Sequence, residues 1–430
     1  MKHQLWRTLF LVGALWLATA IVDAQVIHAQ PDDGGAPLPF HKGRQHFPFD
    51  TAPFITLGDL DGDLDEDYYE HRTDADRVWL NDGAGHFVMH KPLVDDGPGV
   101  TMAAALADLD GDGDLDLLLV KWEQNLILLN DGQATFTNSG QPIRSAASRT
   151  DALALGDLDG DGDIDAYFSG EGGVFGDTDE IWLNNGAAGF SSIQSGLVND
   201  ASTQVVLGDV DQDQDLDLLA AICGNDQPAA ALWLNDGAGR FSPSAQAFPT
   251  GCAATLGLAD LDGDQDSDLV IGSVRPEAVT VWQNDGAGHF SQSATFAGAA
   301  RRSLDAAVLL LGDGDDDQDL DILLANGRLW RNDGVGHFSQ SSHLLPEGGA
   351  ALRDLDGDGD LDLLTIGSRV LQSWFKTADP QPLPDAVYFL NERNQIARLE
   401  ANGRQVTLIT QEAEPVTSFA VSPEIGRAHV

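Results

Sequence analysis

Positive charge is scarce in this chain of 430 residues: 23 Lys and Arg stand against 69 acidic residues, a formal net charge of −46. Nucleic acid and anionic membrane surfaces both demand a basic footprint, so both are excluded as partners. Cysteine is nearly absent as well. The two present, Cys223 and Cys252, match no zinc spacing, and in an exported chain they are a candidate disulfide, with two free buried thiols as the alternative. Beyond the N-terminus no apolar run approaches membrane length. One acid is also rare, with 12 Glu against 57 Asp. A solvated acidic surface would draw on both. Asp alone is favoured where a short carboxylate must bend back to its own backbone, in tight turns and metal loops.

Residues 1–24 have the layout of a secretory signal peptide. Lys2 and Arg7 supply a positive start, Leu9 to Ala20 a short apolar stretch, and Val22-Asp23-Ala24 small residues before a cut at Gln25. Ile27-His28-Ala29 offers a second cut, and an uncleaved anchor is the alternative. Residues 25–39 form a leader segment, and the mature chain is expected to be secreted or displayed at the cell surface without entering a membrane.

Self-similarity dominates the rest of the chain. The string D-x-D-x-D-x-D-x-D occurs seven times, starting at Asp59, Asp108, Asp157, Asp209, Asp260, Asp313 and Asp354, with spacings of 49, 49, 52, 51, 53 and 41 residues. That is the period of a supersecondary repeat. In each repeat an apolar stretch ending in small residues precedes the Asp string, and a β-rich run succeeds it, such as Leu115 to Val120 or Leu216 to Ile222. After a variable loop comes a strand ending in Trp-Leu-Asn-Asp-Gly or a close relative, then a final strand beginning at Phe. Trp and Phe are eight residues apart in Trp79/Phe87, Trp182/Phe190, Trp233/Phe241, Trp282/Phe290 and Trp330/Phe338, with Leu128 in place of Trp before Phe136. Asn-Asp-Gly between apolar runs signals a hairpin in which Asn and Gly accept positive φ. Four short antiparallel strands per fifty residues, repeated, predict an all-β fold: a β-propeller of seven four-stranded blades over residues 40–375.

Closure of the ring is also legible. The seventh repeat has its Asp string and strands over Leu361 to Ile366 and Val370 to Phe375, but no Asn-Asp-Gly turn and no Phe strand. Gly43-Arg44-Gln45-His46-Phe47 resembles the Gly-Ala-Gly-His-Phe at Gly83 to Phe87, so the N-terminal segment around Phe47 is expected to supply the missing outer strand.

Asp at alternate positions of a strand would line like charges along one face. Wrapped as a loop, the same spacing turns carboxylates toward a hard cation. Positions 1, 3, 5 and 9 offer side-chain oxygens and position 7 a backbone carbonyl, a calcium-type donor set, with magnesium the lesser option. The candidate metal residues are Asp59, Asp61, Asp63, Asp65 and Asp67; Asp108, Asp110, Asp112, Asp114 and Asp116; Asp157, Asp159, Asp161, Asp163 and Asp165; Asp209, Asp211, Asp213, Asp215 and Asp217; Asp260, Asp262, Asp264, Asp266 and Asp268; Asp313, Asp315, Asp317, Asp319 and Asp321; and Asp354, Asp356, Asp358, Asp360 and Asp362. Up to seven structural Ca2+ ions are expected.

These strings resemble the calcium loops of the FG-GAP and VCBS repeat families, including the propeller of integrin α subunits, whose pattern is D-x-D-x-D-G-x-x-D. Loops 2, 3 and 7 match fully, with Gly113, Gly162 and Gly359 at position 6; the other four carry Leu64, Gln214, Gln265 and Gln318 there. A side chain at that position strains the turn by roughly 1 kcal/mol where φ is positive, so those four loops are expected to bind more weakly. The resemblance also implies recognition by the face away from the metals.

In a four-stranded blade the Asp strings and Asn-Asp-Gly turns share one face and the variable loops the other. Ten of the 14 Lys and Arg between residues 59 and 370 fall in variable loops: Arg72, Arg77, Lys91, Lys121, Arg144, Arg149, Arg275, Arg301, Arg302 and Arg369. A relatively basic face for an acidic partner or polysaccharide is one reading, ordinary solubilising charge the other. Trp122 and Phe175 are candidate contacts in the same loops; the Trp and Phe ladder (Trp182, Phe190, Trp233, Phe241) reads as core, and His86, His289 and His337 as exposed turn residues. No nucleophile–base pair or glycosidase carboxylate pair stands out.

Residues 376–386 form a Pro-rich linker, and 387–423 show hairpin patterning with a turn at Ala401-Asn402-Gly403-Arg404. SFAVSP at Ser418 to Pro423 resembles a blade of TolB-like and WD40-like propellers, and one blade cannot fold alone. The last seven residues, 424–430, read as translated adapter, so a truncated chain is expected. Two functions compete: a monomeric calcium-dependent adhesion or recognition module for a protein or polysaccharide, and a calcium-dependent polysaccharide-active enzyme of lyase type.

Overall fold

The computed structural model describes residues 40–42, 47–48, 55–70, 76–92, 101–121, 125–141, 143, 150–170, 179–193, 197, 202–297, 309–315, 317–324, 326–345, 349–366 and 370–376, together with short strands between 386 and 429. The chain divides into two compact units, Met1–Lys376 and Thr377–Val430. In the second, Ala386–Leu390, Ile396–Glu400 and Val406–Leu408 form a three-stranded antiparallel sheet, and Ala420–Val421 pairs with Ala428–His429. The expected leader, linker and 401–404 turn lie outside the described residues. No helix among the described residues is long and apolar enough to cross a membrane.

In the first unit, repeats 1, 2, 3 and 6 are antiparallel four-stranded meanders. Repeat 1 runs Ile55–Gly58, Asp67–Glu70, Arg77–Leu80 and Val88–Pro92, each strand paired with the next. Its Asp string joins the first two strands and its Asn-Asp-Gly turn the last two. Second strands such as Asp116–Lys121 are buried along their whole length, because each sheet is sandwiched between two others. That explains the unbroken apolar run Leu117 to Val120. One core layer joins Ala103, Leu118 and Ile127 of repeat 2 to Leu153, Phe168 and Phe190 of repeat 3; the next joins Tyr167 and Ile181 of repeat 3 to Leu218, Trp233 and Phe241 of repeat 4. The aromatic ladder is therefore sheet-to-sheet core.

The ring closes as expected, with a detail added. Phe47–Pro48 pairs with Val370–Lys376 through Phe47↔Leu371, and a second piece, Phe40–Lys42, continues along the same strand through Phe40↔Lys376. The outer strand of the last repeat is thus supplied in two pieces, with 43–46 outside the described residues.

Repeats 4 and 5 are not separate sheets. The strand Asp217–Pro228 overruns its own repeat and pairs with Thr250–Ala259 at Cys223↔Cys252 and Pro228↔Thr250, giving one eight-stranded sheet. Cys223 and Cys252 form a disulfide across that junction. An edge that reaches past the repeat finds unpaired amides on its neighbour and joins them.

Candidate metal centres

Each Asp string folds as a loop whose own carboxylates bind its backbone. In loop 1, Asp59 Oδ1 accepts the amides of Gly62 and Asp63, Asp59 Oδ2 accepts that of Leu64, and Asp63 Oδ1 accepts that of Asp65. Position 1 therefore pins the turn and position 5 pins its exit.

Position 9 ties the loop to the sheet. Asp67, Asp116, Asp165, Asp217, Asp268, Asp321 and Asp362 are all essentially fully buried. In every repeat one oxygen accepts the position-2 amide at 2.9–3.1 Å. The other accepts the amide at the head of the Asn-Asp-Gly turn, or of Lys376 in repeat 7, at 2.7–2.9 Å. Burial, ahead of crowding by other carboxylates, raises Asp116, Asp165, Asp217 and Asp268 to about 6 and Asp67, Asp321 and Asp362 to about 7.

Oxygens of positions 1, 3 and 9 converge. In Asp59/Asp61/Asp67, Asp108/Asp110/Asp116, Asp157/Asp159/Asp165, Asp209/Asp211/Asp217 and Asp260/Asp262/Asp268 one oxygen of each residue lies within 4.8 Å of the others. Position 3 holds the unmet polar group at this point. The Oδ1 atoms of Asp61, Asp110, Asp159, Asp211, Asp262 and Asp315 are shut off from solvent and meet no hydrogen-bond donor among the described residues. Burial and then the neighbouring position-5 carboxylates raise the position-3 carboxyls above the ordinary range. A buried anionic oxygen without a donor, facing two more carboxylates, fits a hard divalent cation. Position 7 behaves differently: the carboxylates of Asp65, Asp114, Asp163, Asp215, Asp266 and Asp319 crowd the Gly of their own Asn-Asp-Gly turn, where a Cβ would stand 2.5–2.7 Å from them.

The Asn of that turn is not a left-handed turn residue. Positive φ falls on Gly83 and Gly85 in repeat 1, whereas Asn81 and Asp82 keep ordinary backbone. Its work is done by the side chain, which spans the seam between repeats. Asn130 Nδ2 donates to Leu60 O, Asn184 to Leu109 O, Asn235 to Leu158 O, Asn284 to Val210 O and Asn332 to Leu261 O, all at 2.7–2.9 Å. Asn81 donates to Leu355 O of repeat 7, which carries the pattern across the closure. The acceptor is always the position-2 carbonyl of the preceding Asp loop, so each loop is clasped by the next repeat. In repeat 7 Lys376 stands in for Asn, with Nζ 3.4 Å from Asp313 O. The sequence held this signal, since Asn recurs at six of seven positions where Gly or Asp would also satisfy a turn.

Non-glycine residues at position 6 do sit at positive φ: Leu64 at 75°, Gln214 at 78°, Gln265 at 74° and Gln318 at 75°. Loop 4 has a second, Gln212 at 61°.

On the opposite face the picture is partial. Arg72, Trp122, Arg144, Arg149, Phe175, Arg301, Arg302 and Arg369 lie outside the described residues. Lys121 is no part of a basic face: its side chain is 1% exposed, with Nζ 3.7 Å from the buried Asp76, which also accepts the hydroxyls of Tyr69 and Thr101. A lysine buried at the end of a strand needs such a partner. Arg275 is exposed, with Nη2 3.7 Å from Cys223 Sγ and 3.8 Å from Cys252 Sγ. His86, His289 and His337 are exposed and lie 3.2–3.3 Å from Asp82, Asp285 and Asp333.

Comparison with known proteins adds the lineage. No curated protein matches the chain. Among solved structures it is similar to an Agrocybe aegerita lectin described as recognising non-reducing terminal N-acetylglucosamine, at 19% identity over 68% of this chain and 79% of that one, TM-score 0.50. It is also similar to BBS1N in complex with ARL6DN, at 14% identity over 77% of this chain and 94% of that one, TM-score 0.50. These likenesses concern the fold. The model of the FG-GAP-like repeat matches at residues 59–119, 108–168, 209–271 and 260–324, together more than half of the chain. By these matches, its repeated sheets and its Asp loops, the chain belongs to the family of FG-GAP-like repeat β-propellers.

Proposed function

We propose that this chain is a secreted, seven-bladed propeller whose Asp loops bind calcium as structural ions, and that it serves as a recognition module for a protein or polysaccharide on the face opposite those ions. The observation that carries the metal reading is the buried, donorless Oδ1 of position 3, repeated in loops 1 to 5 beside the carboxylates of positions 1 and 9. The recognition reading is supported by the family, and by the propeller likeness to a lectin whose described ligand is a terminal sugar.

Calcium's part is to hold the ring together. The loop it orders presents the position-2 carbonyl that the next repeat's Asn clasps, so losing the ion loosens the seam as well as the loop. At ten times Kd each site adds about 1.4 kcal/mol, so several sites together rival the whole stability of a domain. EDTA should therefore lower the melting temperature by tens of degrees, reversibly with added calcium. An unchanged melting curve sinks the metal reading. A glycan array probed with the calcium-loaded protein tests recognition, with Arg301→Glu/Arg302→Glu as the variant expected to weaken binding; binding indifferent to that reversal moves the ligand elsewhere.

A further inference from the structure

Loop 6 differs from its sisters in what surrounds it. The residue before the Asn of the turn is Leu80, Leu129, Leu183 and Leu234 in repeats 1–4 and Gln283 in repeat 5, but Arg331 in repeat 6. Arg331 Nε lies 3.2 Å from Oδ2 of Asp315, the position-3 carboxylate of the same loop, with the two side chains 29% and 15% exposed. On the other flank, the Asn clasp is replaced by Lys376, 1% exposed, whose Nζ approaches the carbonyl of Asp313 at position 1. Repeat 5 shows a neutral half-step: Gln283 Nε2 donates to Asp262 Oδ2 at 2.6 Å. Among the described residues, loop 6 alone has one cationic side chain beside a ligand carboxylate and a second beside its own backbone carbonyl.

A guanidinium that close to a ligand carboxylate offsets part of its charge and repels an incoming dication, because the charges share a half-buried, poorly screened space. Gln318 at positive φ adds backbone strain to the same loop. We propose that loop 6 is neutralised from within: Arg331, backed by Lys376, takes the place of the metal at Asp315, so that repeat 6 keeps its loop folded without calcium while the other loops require it. This rests on the calcium reading above. The ring then has one metal-independent seam, between repeats 6 and 7 beside the point where the chain closes on its N-terminus.

The test is a count of calcium per full-length chain, by equilibrium dialysis with atomic emission, in wild type, Arg331→Leu and Leu129→Arg. Arg331→Leu restores the residue of repeats 1–4 and should bind one more ion than wild type; its melting temperature in EDTA should fall below that of wild type and its gain on adding calcium should be larger. Leu129→Arg installs the plug in loop 2 and should bind one ion fewer. Equal counts in wild type and Arg331→Leu, with the other loops filled, overturn the proposal. Should Arg331→Leu fail to fold, Leu129→Arg decides: an undiminished count overturns it. No calcium in any of the three proteins overturns this proposal and the metal reading together.

Discussion

Repeats 3 and 4 are neighbours with the same five carboxylates, the same buried position-9 Asp and the same Asn clasp, yet they are held in opposite ways. Loop 3 turns on Gly160 and Gly162, and its sheet stands alone with four strands. Loop 4 forces Gln212 and Gln214 into the left-handed region, while the far end of its sheet is fused to repeat 5 by shared strand pairing and by Cys223–Cys252. In repeat 4, which alone carries two such residues among those described, the strained loop and the extra fastening belong to the same sheet. Strain of this kind persists only where surroundings over-determine the backbone.

The largest expected effect is one in which the two repeats behave alike. In the metal-free protein Asp165 and Asp217 are both raised to about 6, against 3.8 ordinarily, and their counterparts to about 6 or 7. A carboxyl whose folded value exceeds its unfolded one binds its proton more tightly when folded. Its contribution is therefore complete below about pH 4 and disappears as the pH climbs through 6 to 7. In EDTA the melting temperature should fall between pH 4.5 and 7.5 by at least about 5 °C. In excess calcium the slope should reverse, since the ion competes with those protons. A flat profile in EDTA would mean that the carboxylates are not buried as described.

The anchor itself comes next. Asp165→Ala strands the amides of Leu158 and Asn184; Asp217→Ala strands those of Val210 and Asn235. Two buried donors left without acceptors cost about 1–3 kcal/mol each, so each variant should lose about 4 kcal/mol in urea unfolding even in EDTA. A loss seen only with calcium present would make position 9 a ligand and not an anchor.

The fastening at the far end is smaller. The disulfide closes a sequence separation of 29 residues, worth about 3.5 kcal/mol on the chain-entropy account. Cys223→Ser with Cys252→Ser should cost that much, and the loss should shrink when Gln214→Gly removes strain from loop 4. Strict additivity would show the two ends to be uncoupled.

How much of this was open to the sequence depends on which interactions are local. The Asp loops, strand order and closing strand could be read because each rests on short-range pattern: carboxylates two residues apart, apolar runs of strand length, one Phe segment missing at one end and present at the other. Asn81 and its equivalents were visible, but their meaning was not. Within one repeat an Asn before Asp-Gly is a turn former, and only the neighbouring sheet supplies the carbonyl that makes it a clasp. Lys121 misled for the same reason, since its partner Asp76 belongs to the preceding repeat. The fusion of repeats 4 and 5 depends on a strand overrunning its period, which no residue type announces.

The sharpest contrast between the two loops is also the smallest in energy. Gly162 and Gln214 occupy position 6, and each donates its amide at 3.0 Å to Oδ2 of the position-1 Asp, Asp157 and Asp209 respectively. A Cβ added at Gly162 would meet nothing within 4 Å, so a side chain there costs no steric room. What separates the two is then backbone alone. Gln at φ 78° carries about 1–2 kcal/mol of strain, and replacing it by Gly returns about 0.5–1 kcal/mol to the unfolded chain as entropy. Gln214→Gly should gain about 0.5–1 kcal/mol, tightening calcium at loop 4 by roughly threefold, and Gly162→Gln should lose as much at loop 3. Equal and opposite shifts would establish that position 6 acts through φ. If Gly162→Gln were neutral while Gln214→Gly destabilised, the Gln side chain itself would be holding loop 4.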